Sequence, residues 1–415
     1  MKASRLVAFE VLSRVIKNDA FSNIALDKAL DGLEGKDKAF CASLVYGVIE
    51  RRLTLDYLIS PHLKSKPKPK VMLLLYIGAY QLCFMDKVPD SAAVNETVRL
   101  ADSVGCAYYK GMVNAVLRKI SDRKIDIASL DDLSVKYSCP EHLIRMWEKM
   151  YTKEAVDAFL PCINEKPPLF AVPNTLFVDA DELQYELFDE GIKSEVEGEL
   201  VKITSSFDIS KSKAFERGLF HIEDKSSFEC AKALGAKDGD TVLDVCAAPG
   251  GKSFTLAERM NGGGAVYSFD LYEHRVKLIS DGAKRLGLEN IIAKVNDAEV
   301  YNEGLPRADK VLCDVPCSGF GIIRRKPEIR YKDLDSIKTL PELQYKILCT
   351  SSRYLKEKGT LVYSTCTLNK RENEAVAQRF LDENNNFKLR DMKTVFPSFD
   401  GGDGFFYAVM EKIND

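Results

Sequence analysis

The chain has 415 residues, 46% of them hydrophobic and 29% charged, with a formal net charge of -3. That length exceeds one hydrophobic core and predicts two or three domains of ordinary globular type; the nearly balanced charge neither demands nor excludes a nucleic-acid partner, because basic runs at 64–70 and at Arg324-Arg325-Lys326 are embedded in it. Eleven cysteines, an odd number at no framework or metal spacing, beside only four histidines, predict reduced thiols, a cytoplasmic setting and no metal.

The N-terminus runs into an amphipathic pattern without an apolar core, so no signal peptide is expected. From residue 4 to about 120 apolar residues recur at helical spacing. Leu6, Val7, Phe9, Val11, Leu12, Val15 and Ile16 form one stripe, and Phe40, Leu44, Val45, Val48 and Ile49 another. Pro67 and Pro69 interrupt this all-helical bundle. The run 71–84 is strongly apolar but shorter than a membrane span, and it contains Gly78 and Gln81, so it reads as a buried core helix. Further helices are expected from Pro89 and Ser91 and over 108–120, the latter with Lys110, Arg118 and Lys119 on a solvated face. A short helix at 140–150 carries the single tryptophan, Trp147, as a packing residue.

After Lys166-Pro167-Pro168 the stretch 170–222 mixes a strand at 200–203 with a helix at 180–188, a small α+β unit. Strand and helix then alternate strictly: 241–245, 251–260, 264–269, 274–286, 291–295, 310–313, 340–355 and 360–363. Such alternation predicts a parallel sheet covered on both faces. The expected domains are 1–125, all-α; 126–225, connecting helices and the α+β unit; and 226–415, a Rossmann-like α/β domain.

The turn after the first of these strands reads Cys246, Ala247, Ala248, Pro249, Gly250, Gly251, Lys252. A phosphate loop would need glycine where Cys246 stands, so the glycines are read as letting backbone approach a ligand across the strand ends. Asp270 ends the next strand, where an acid meets ribose hydroxyls, and Asp297 follows one strand later, where it accepts from an adenine amino group. Acids without a phosphate grip favour S-adenosylmethionine. Two cysteines follow later strands: Cys317, after Asp314-Val315-Pro316, and Cys366, after Ser364-Thr365. Carbon 5 of cytosine becomes nucleophilic once a thiolate adds to carbon 6, and Asp314 beside Cys317 is placed to hydrogen-bond the ring. On this reading either thiol is free to attack.

Together these motifs resemble the RNA 5-methylcytosine methyltransferases: Asp244 through Lys252, then Asp314-Val315-Pro316-Cys317-Ser318-Gly319, then Tyr363-Ser364-Thr365-Cys366-Thr367 with Glu372-Asn373-Glu374, and Asp403-Gly404-Phe405-Phe406-Tyr407 near the end. The helical front is similar to the NusB RNA-binding fold, so the resemblance covers nearly the whole chain, and it lies closest to the bacterial enzymes that act on 16S ribosomal RNA. It implies S-adenosylmethionine held by residues 246–252, Asp270, Asp297 and Asp314, with Arg275 as an addition. It assigns Cys366 as nucleophile and Cys317 to product release, and it implies 16S ribosomal RNA as substrate, naked or in an assembling subunit, for a monomeric enzyme with no membrane partner. Arg324, Arg325 and Lys326 would contact phosphates. Three places depart from the family pattern: Pro173-Asn174, Glu223-Asp224 where Gln-Asp is usual, and Lys326-Pro327-Glu328 where His-Pro-Asp is common. All three are expected to face RNA. The competing readings are a non-catalytic NusB-like RNA-binding factor in transcription or ribosome assembly, and a DNA cytosine methyltransferase, which the second thiol disfavours.

Overall fold

A computed structural model describes residues 4–18, 22–205 and 208–413. The chain packs as two compact units, one of residues 1–164 with 323–332, the other of residues 165–322 with 333–415.

The first unit is helical: α1 (Ser4–Asn18), α2 (Ser22–Leu30), α3 (Gly35–Glu50), α4 (Arg52–Ile59), α5 (Pro69–Phe84), α6 (Asp90–Ser103), α7 (Lys110–Asp122), α8 (Leu133–Tyr137), α9 (Glu141–Met150) and α10 (Lys153–Phe159). The run expected to be a core helix is α5. Pro69 opens it at a position where no amide donor is needed, and it packs against α1, α3, α4, α6 and α7. The predicted stripes meet in the same core, Val7 and Leu12 of α1 with Leu44 and Val48 of α3. Trp147 is fully buried, edge-on to Phe159 at 5.0 Å. Segment 323–332 belongs to this unit, and here the structure corrects the sequence reading. Arg324 and Pro327 are buried rather than presented to a phosphate backbone, and Glu328 accepts from Ser22 N at 3.1 Å and Ser22 Oγ at 2.8 Å.

The second unit opens with β1 (Leu169–Pro173), α11 (Ala180–Asp189), β2 (Ser194–Glu197), β3 (Leu200–Ile203), α12 (Lys213–Glu216) and β4 (Phe220–Ile222). The strands form an antiparallel sheet in the order β2-β3-β1-β4. Asn174, expected to face RNA, is fully buried after β1, its amide donating to Gly218 O at 2.9 Å and Leu286 O at 2.8 Å.

There follow α13 (Lys225–Ala233), β5 (Thr241–Asp244), α14 (Gly251–Arg259), β6 (Ala265–Asp270), α15 (Glu273–Leu286), β7 (Ile291–Val295), β8 (Ala308–Asp314), α16 (Leu340–Ser352), β9 (Leu355–Thr365), α17 (Glu374–Glu383), β10 (Phe387–Val395) and β11 (Phe405–Lys412). They build a seven-stranded sheet ordered β10-β11-β9-β8-β5-β6-β7. The five strands from β7 to β9 are parallel, while β11 and β10 add antiparallel at one edge, a pair the sequence reading did not include. Alternate residues feed two cores, as a pleated strand requires. Val242, Leu312 and Val362 join α14 and α15 on one face; Leu243, Val311, Cys313, Leu361 and Tyr363 join α16 and α17 on the other. This is a Rossmann-like, mostly parallel sheet. Strand order reverses at β5, between β6 and β8, so the carboxyl ends of these strands and of β9 form the crevice where such sheets bind ligands. No helix among the described residues is long and apolar enough to cross a membrane.

Candidate active site

At the end of β5 the chain turns through Cys246 to Lys252 into α14. Ala247 N donates to Phe269 O at 2.7 Å, tying the turn to β6. Gly250 sits at φ +119, and a Cβ there would lie 2.4 Å from the Phe254 ring, so only glycine fits. The turn therefore brings bare backbone and the amino end of α14 to the crevice. Below it Asp244 is buried, accepts from Ser253 Oγ at 2.7 Å, and is pushed up to about 7 by burial.

Two cations flank the turn, and both are engaged by acids. Arg275 on α15 meets Asp270, the last residue of β6, at 3.0 Å and also donates to Ala248 O at 2.9 Å. Lys252 Nζ lies 2.7 Å from Asp314 Oδ2 at the end of β8 and 5.1 Å from the Phe405 ring centroid. Burial alone would push this ammonium down; the Asp314 and Glu223 carboxylates outweigh it and hold it well above its ordinary value. The other oxygen of Asp314 accepts from Ser364 Oγ on β9 at 2.9 Å. Asp297 stands exposed beyond β7 and accepts from Glu299 N at 2.9 Å.

Cys317 and Cys366 follow neighbouring parallel strands, and their sulfurs lie 3.3 Å apart. The neighbouring sulfur, and then burial, push the Cys317 thiol well above its ordinary value. One buried carboxylate ties the two cysteine loops together. Glu372 accepts from Ser318 N at 2.8 Å, Ser318 Oγ at 2.5 Å, Gln344 Nε2 at 2.9 Å and Asn369 Nδ2 at 2.7 Å. Across the loops Ser318 Oγ meets Thr367 Oγ1 at 2.7 Å, and Gly321 N donates to Cys366 O at 3.1 Å. Gly321 is locked in turn by Gly404 N, which donates to Gly321 O at 2.9 Å.

The residues expected to hold the cofactor and carry the chemistry thus lie along one sheet edge, with Asp314, Cys317 and Cys366 together and Asp297 furthest out in the strand order. Sequence reading missed the Lys252–Asp314 pair and the bridging role of Glu372; the only signal for the latter was its place in the third motif. Glu223, expected to face RNA, instead lies buried against α14. Among the described residues no group of histidine, cysteine and acidic side chains is arranged to hold a metal ion.

The residues fit a nucleoside cofactor without phosphates. Backbone is open at the glycine turn, acids stand at successive strand ends, and both flanking cations are already paired with carboxylates. Fold and site together define an S-adenosylmethionine-dependent methyltransferase of Rossmann-like type.

Comparison with known proteins makes this specific. Residues 231–411 match the family described as 16S rRNA methyltransferase RsmB/F, and residues 2–122 match the NusB family. A probable ribosomal RNA small subunit methyltransferase B of Bacillus subtilis (strain 168) is 36% identical across 98% of both chains. Its counterpart in Synechocystis sp. is 32% identical across 99% of this chain and 100% of its own. The crystal structure of PH0851 superposes with a TM-score of 0.81 at 27% identity, covering 99% of each chain. The chain belongs to the ribosomal RNA small subunit methyltransferase B family.

Proposed function

We propose that this enzyme methylates carbon 5 of a cytosine in 16S ribosomal RNA through a covalent adduct between Cys366 and carbon 6 of the base. The observation that carries the reading is the meeting of two thiols 3.3 Å apart beside an aspartate held between Lys252 and Ser364. Residues 246–252, Asp270, Asp297 and Asp314 line the cofactor's place, and S-adenosylmethionine bound there supplies an electrophilic methyl group on its sulfonium. The Cys366 thiolate adds to carbon 6, and the displaced electron pair makes carbon 5 nucleophilic. Asp314 hydrogen-bonds the ring nitrogen and exocyclic amine as charge develops there, with Lys252 balancing the carboxylate. Once carbon 5 carries the methyl group, Cys317 assists removal of its proton; the carbon 5–carbon 6 double bond re-forms and the Cys366 sulfur leaves.

The cytosine must leave any stacked arrangement to be reached by the thiol. The helical unit and the α+β sheet are assigned to holding the RNA, which the NusB match supports. None of the eleven cysteines forms a disulfide, which suits a reducing cytoplasm. Labelled methyl transfer to ribosomal RNA tests the reading. Cys366→Ala abolishes transfer, and Cys317→Ala accumulates a protein–RNA adduct that survives denaturation. Transfer by Cys366→Ala, or clean turnover by Cys317→Ala, refutes the assigned roles. Bisulfite mapping of the RNA reports the position.

A further inference from the structure

Behind the cofactor turn, away from the thiols, lies a buried cluster of ionisable side chains that the proposed chemistry does not use. His221 on β4, Glu223 just after it and Glu258 on α14 each leave 4% or less of the side chain exposed. His221 Nδ1 lies 3.3 Å from Glu258 Oε1, and His221 Nε2 lies 3.6 Å from Glu223 Oε2. Thr255 Oγ1 donates to Glu223 at 2.8 Å and lies 3.3 Å from His221 Nε2, while Ser227 Oγ donates to the other Glu223 oxygen at 2.6 Å. Glu223 reaches the first residue of α14 as well, since a Cβ on Gly251 would lie 3.4 Å from its carboxyl.

Ionisable groups are costly to bury, and apolar residues would fill this space more cheaply. The geometry says what they face. Lys252, Thr255 and Glu258 recur every three residues along one side of α14, so the cluster stands directly behind the lysine that holds Asp314. The charged groups around His221 are Glu223 on its own strand exit, Lys252 and Glu258 on α14, and Arg285 on α15. Burial alone would push the imidazole down; the Glu258 and Glu223 carboxylates outweigh it and hold His221 up at about 9. Burial would likewise raise Glu223, but the adjacent His221 and Lys252 charges keep it below its ordinary range, whereas burial leaves Glu258 raised. His221 is thereby held between the Glu258 and Glu223 carboxylates, and Lys252 between Glu223 and Asp314.

We propose that His221 and Glu223 are a charge-balanced pair of positioning residues for Lys252, setting how firmly its ammonium holds Asp314 and so how readily the target base engages that carboxylate. Removing the Glu223 charge alone leaves a buried cation behind Lys252 and drives the ammonium onto Asp314. Removing the His221 charge alone leaves a buried anion that draws the ammonium back. Removing both restores the balance.

The test is a double-mutant cycle in the full-length enzyme, with Glu223→Gln, His221→Asn and the pair, measuring kcat, cofactor affinity by calorimetry, melting temperature and the pH profile. Each single variant is expected to lose about tenfold in kcat, the equilibrium change that one pKa unit represents, with cofactor affinity nearly unchanged. The double variant recovers most of the loss, and the loss in kcat appears with melting temperature and cofactor affinity nearly unchanged, a split that a merely structural role does not produce. The ratio of wild-type to His221→Asn kcat, in which the titration of the nucleophile cancels, falls to one as pH rises through about 9. A single variant that fails to fold beside a stable double variant shows only a structural pair and overturns the positioning role. Singles with wild-type kcat, or a double variant that is slower than either single or does not fold, overturn it. The inference rests on the methyl-transfer reading; that reading fails if the wild-type protein transfers no methyl group to cytosine, whereas this one is decided by ratios among variants of an active enzyme.

Discussion

Arg330 offers the sharpest test of how the helical unit is held together. It is fully buried, and the two terminal nitrogens of its guanidinium spend their donors on carbonyl oxygens. Nη1 reaches Glu50 O at 3.0 Å, Ser138 O at 3.1 Å and Asn164 Oδ1 at 2.8 Å, while Nη2 reaches Ile163 O at 3.1 Å. Next to it Tyr331 donates to Ile49 O at 2.9 Å. Segment 323–332 thus caps the carbonyl end of α3 with a cation, where the helix dipole favours one, and staples it to the stretch after α8 and to the turn Leu160–Asn164 that follows α10. In Arg330→Met four acceptors lose a charged donor in a dry interior, at about 1 kcal/mol each, or about 4 kcal/mol. Burying the methionine stem offsets about 1 kcal/mol of this. The expected loss is about 3 kcal/mol, which for a unit of this size corresponds to roughly 6–12 °C in melting temperature. A protein of two units need not unfold in one step, but the only tryptophan, Trp147, is buried inside this unit, so its fluorescence reports the helical transition alone. Arg330→Lys keeps the charge but reaches fewer acceptors and falls between the two. A tryptophan-monitored midpoint for Arg330→Met within about 2 °C of wild type would falsify the argument.

Three further outcomes follow from the catalytic unit. A Cβ on Gly321 would lie 1.9 Å from Gly404 O and 2.9 Å from Cys366 O, so Gly321→Ala should push the two cysteine loops apart and cut methyl transfer at least tenfold; an active variant with an unchanged rate contradicts the lock. Because the two sulfurs are 3.3 Å apart, peroxide should oxidise both thiols to one disulfide, two hydrogens leaving with the peroxide oxygens as water; activity returns with dithiothreitol, and an intact mass after inactivation sinks the idea. His221 is raised in the folded state to about 9 from about 6.5 when unfolded. Its contribution to stability is therefore complete below about 6.5 and disappears as pH rises through about 9. Urea midpoints followed by circular dichroism should fall across that window in wild type and not in His221→Asn.

What the sequence made legible is what a strict period encodes. The strands β5, β6, β7, β8 and β9, with helices between all but β7 and β8, were readable because buried parallel strands are short apolar runs between turn residues, and the cysteines fell at their ends because function sits there. β10 escaped notice for a physical reason. It is an edge strand carrying Lys388, Arg390, Asp391 and Lys393, and its register shifts between Leu389 and Asp391, so the period of two is both charged over and interrupted. The errors at Asn174, Glu223 and Arg324 share another cause. Polar residues in a loop are read as solvated, yet all three are buried here, Asn174 against Leu286 O and Glu223 against Thr255, both distant in sequence. Such residues announce themselves only when the acceptors that satisfy them are in place. Arg330 follows the same rule, since its acceptors come from residues 50, 138, 163 and 164, and no spacing within Arg324-Arg325-Lys326-Pro327-Glu328-Ile329-Arg330 distinguishes the buried guanidinium from an exposed one. Motifs locate the chemistry because reacting atoms must converge on one substrate. The buried charges that hold those atoms are fixed by compensation, a property of the folded neighbourhood that leaves no period in the chain.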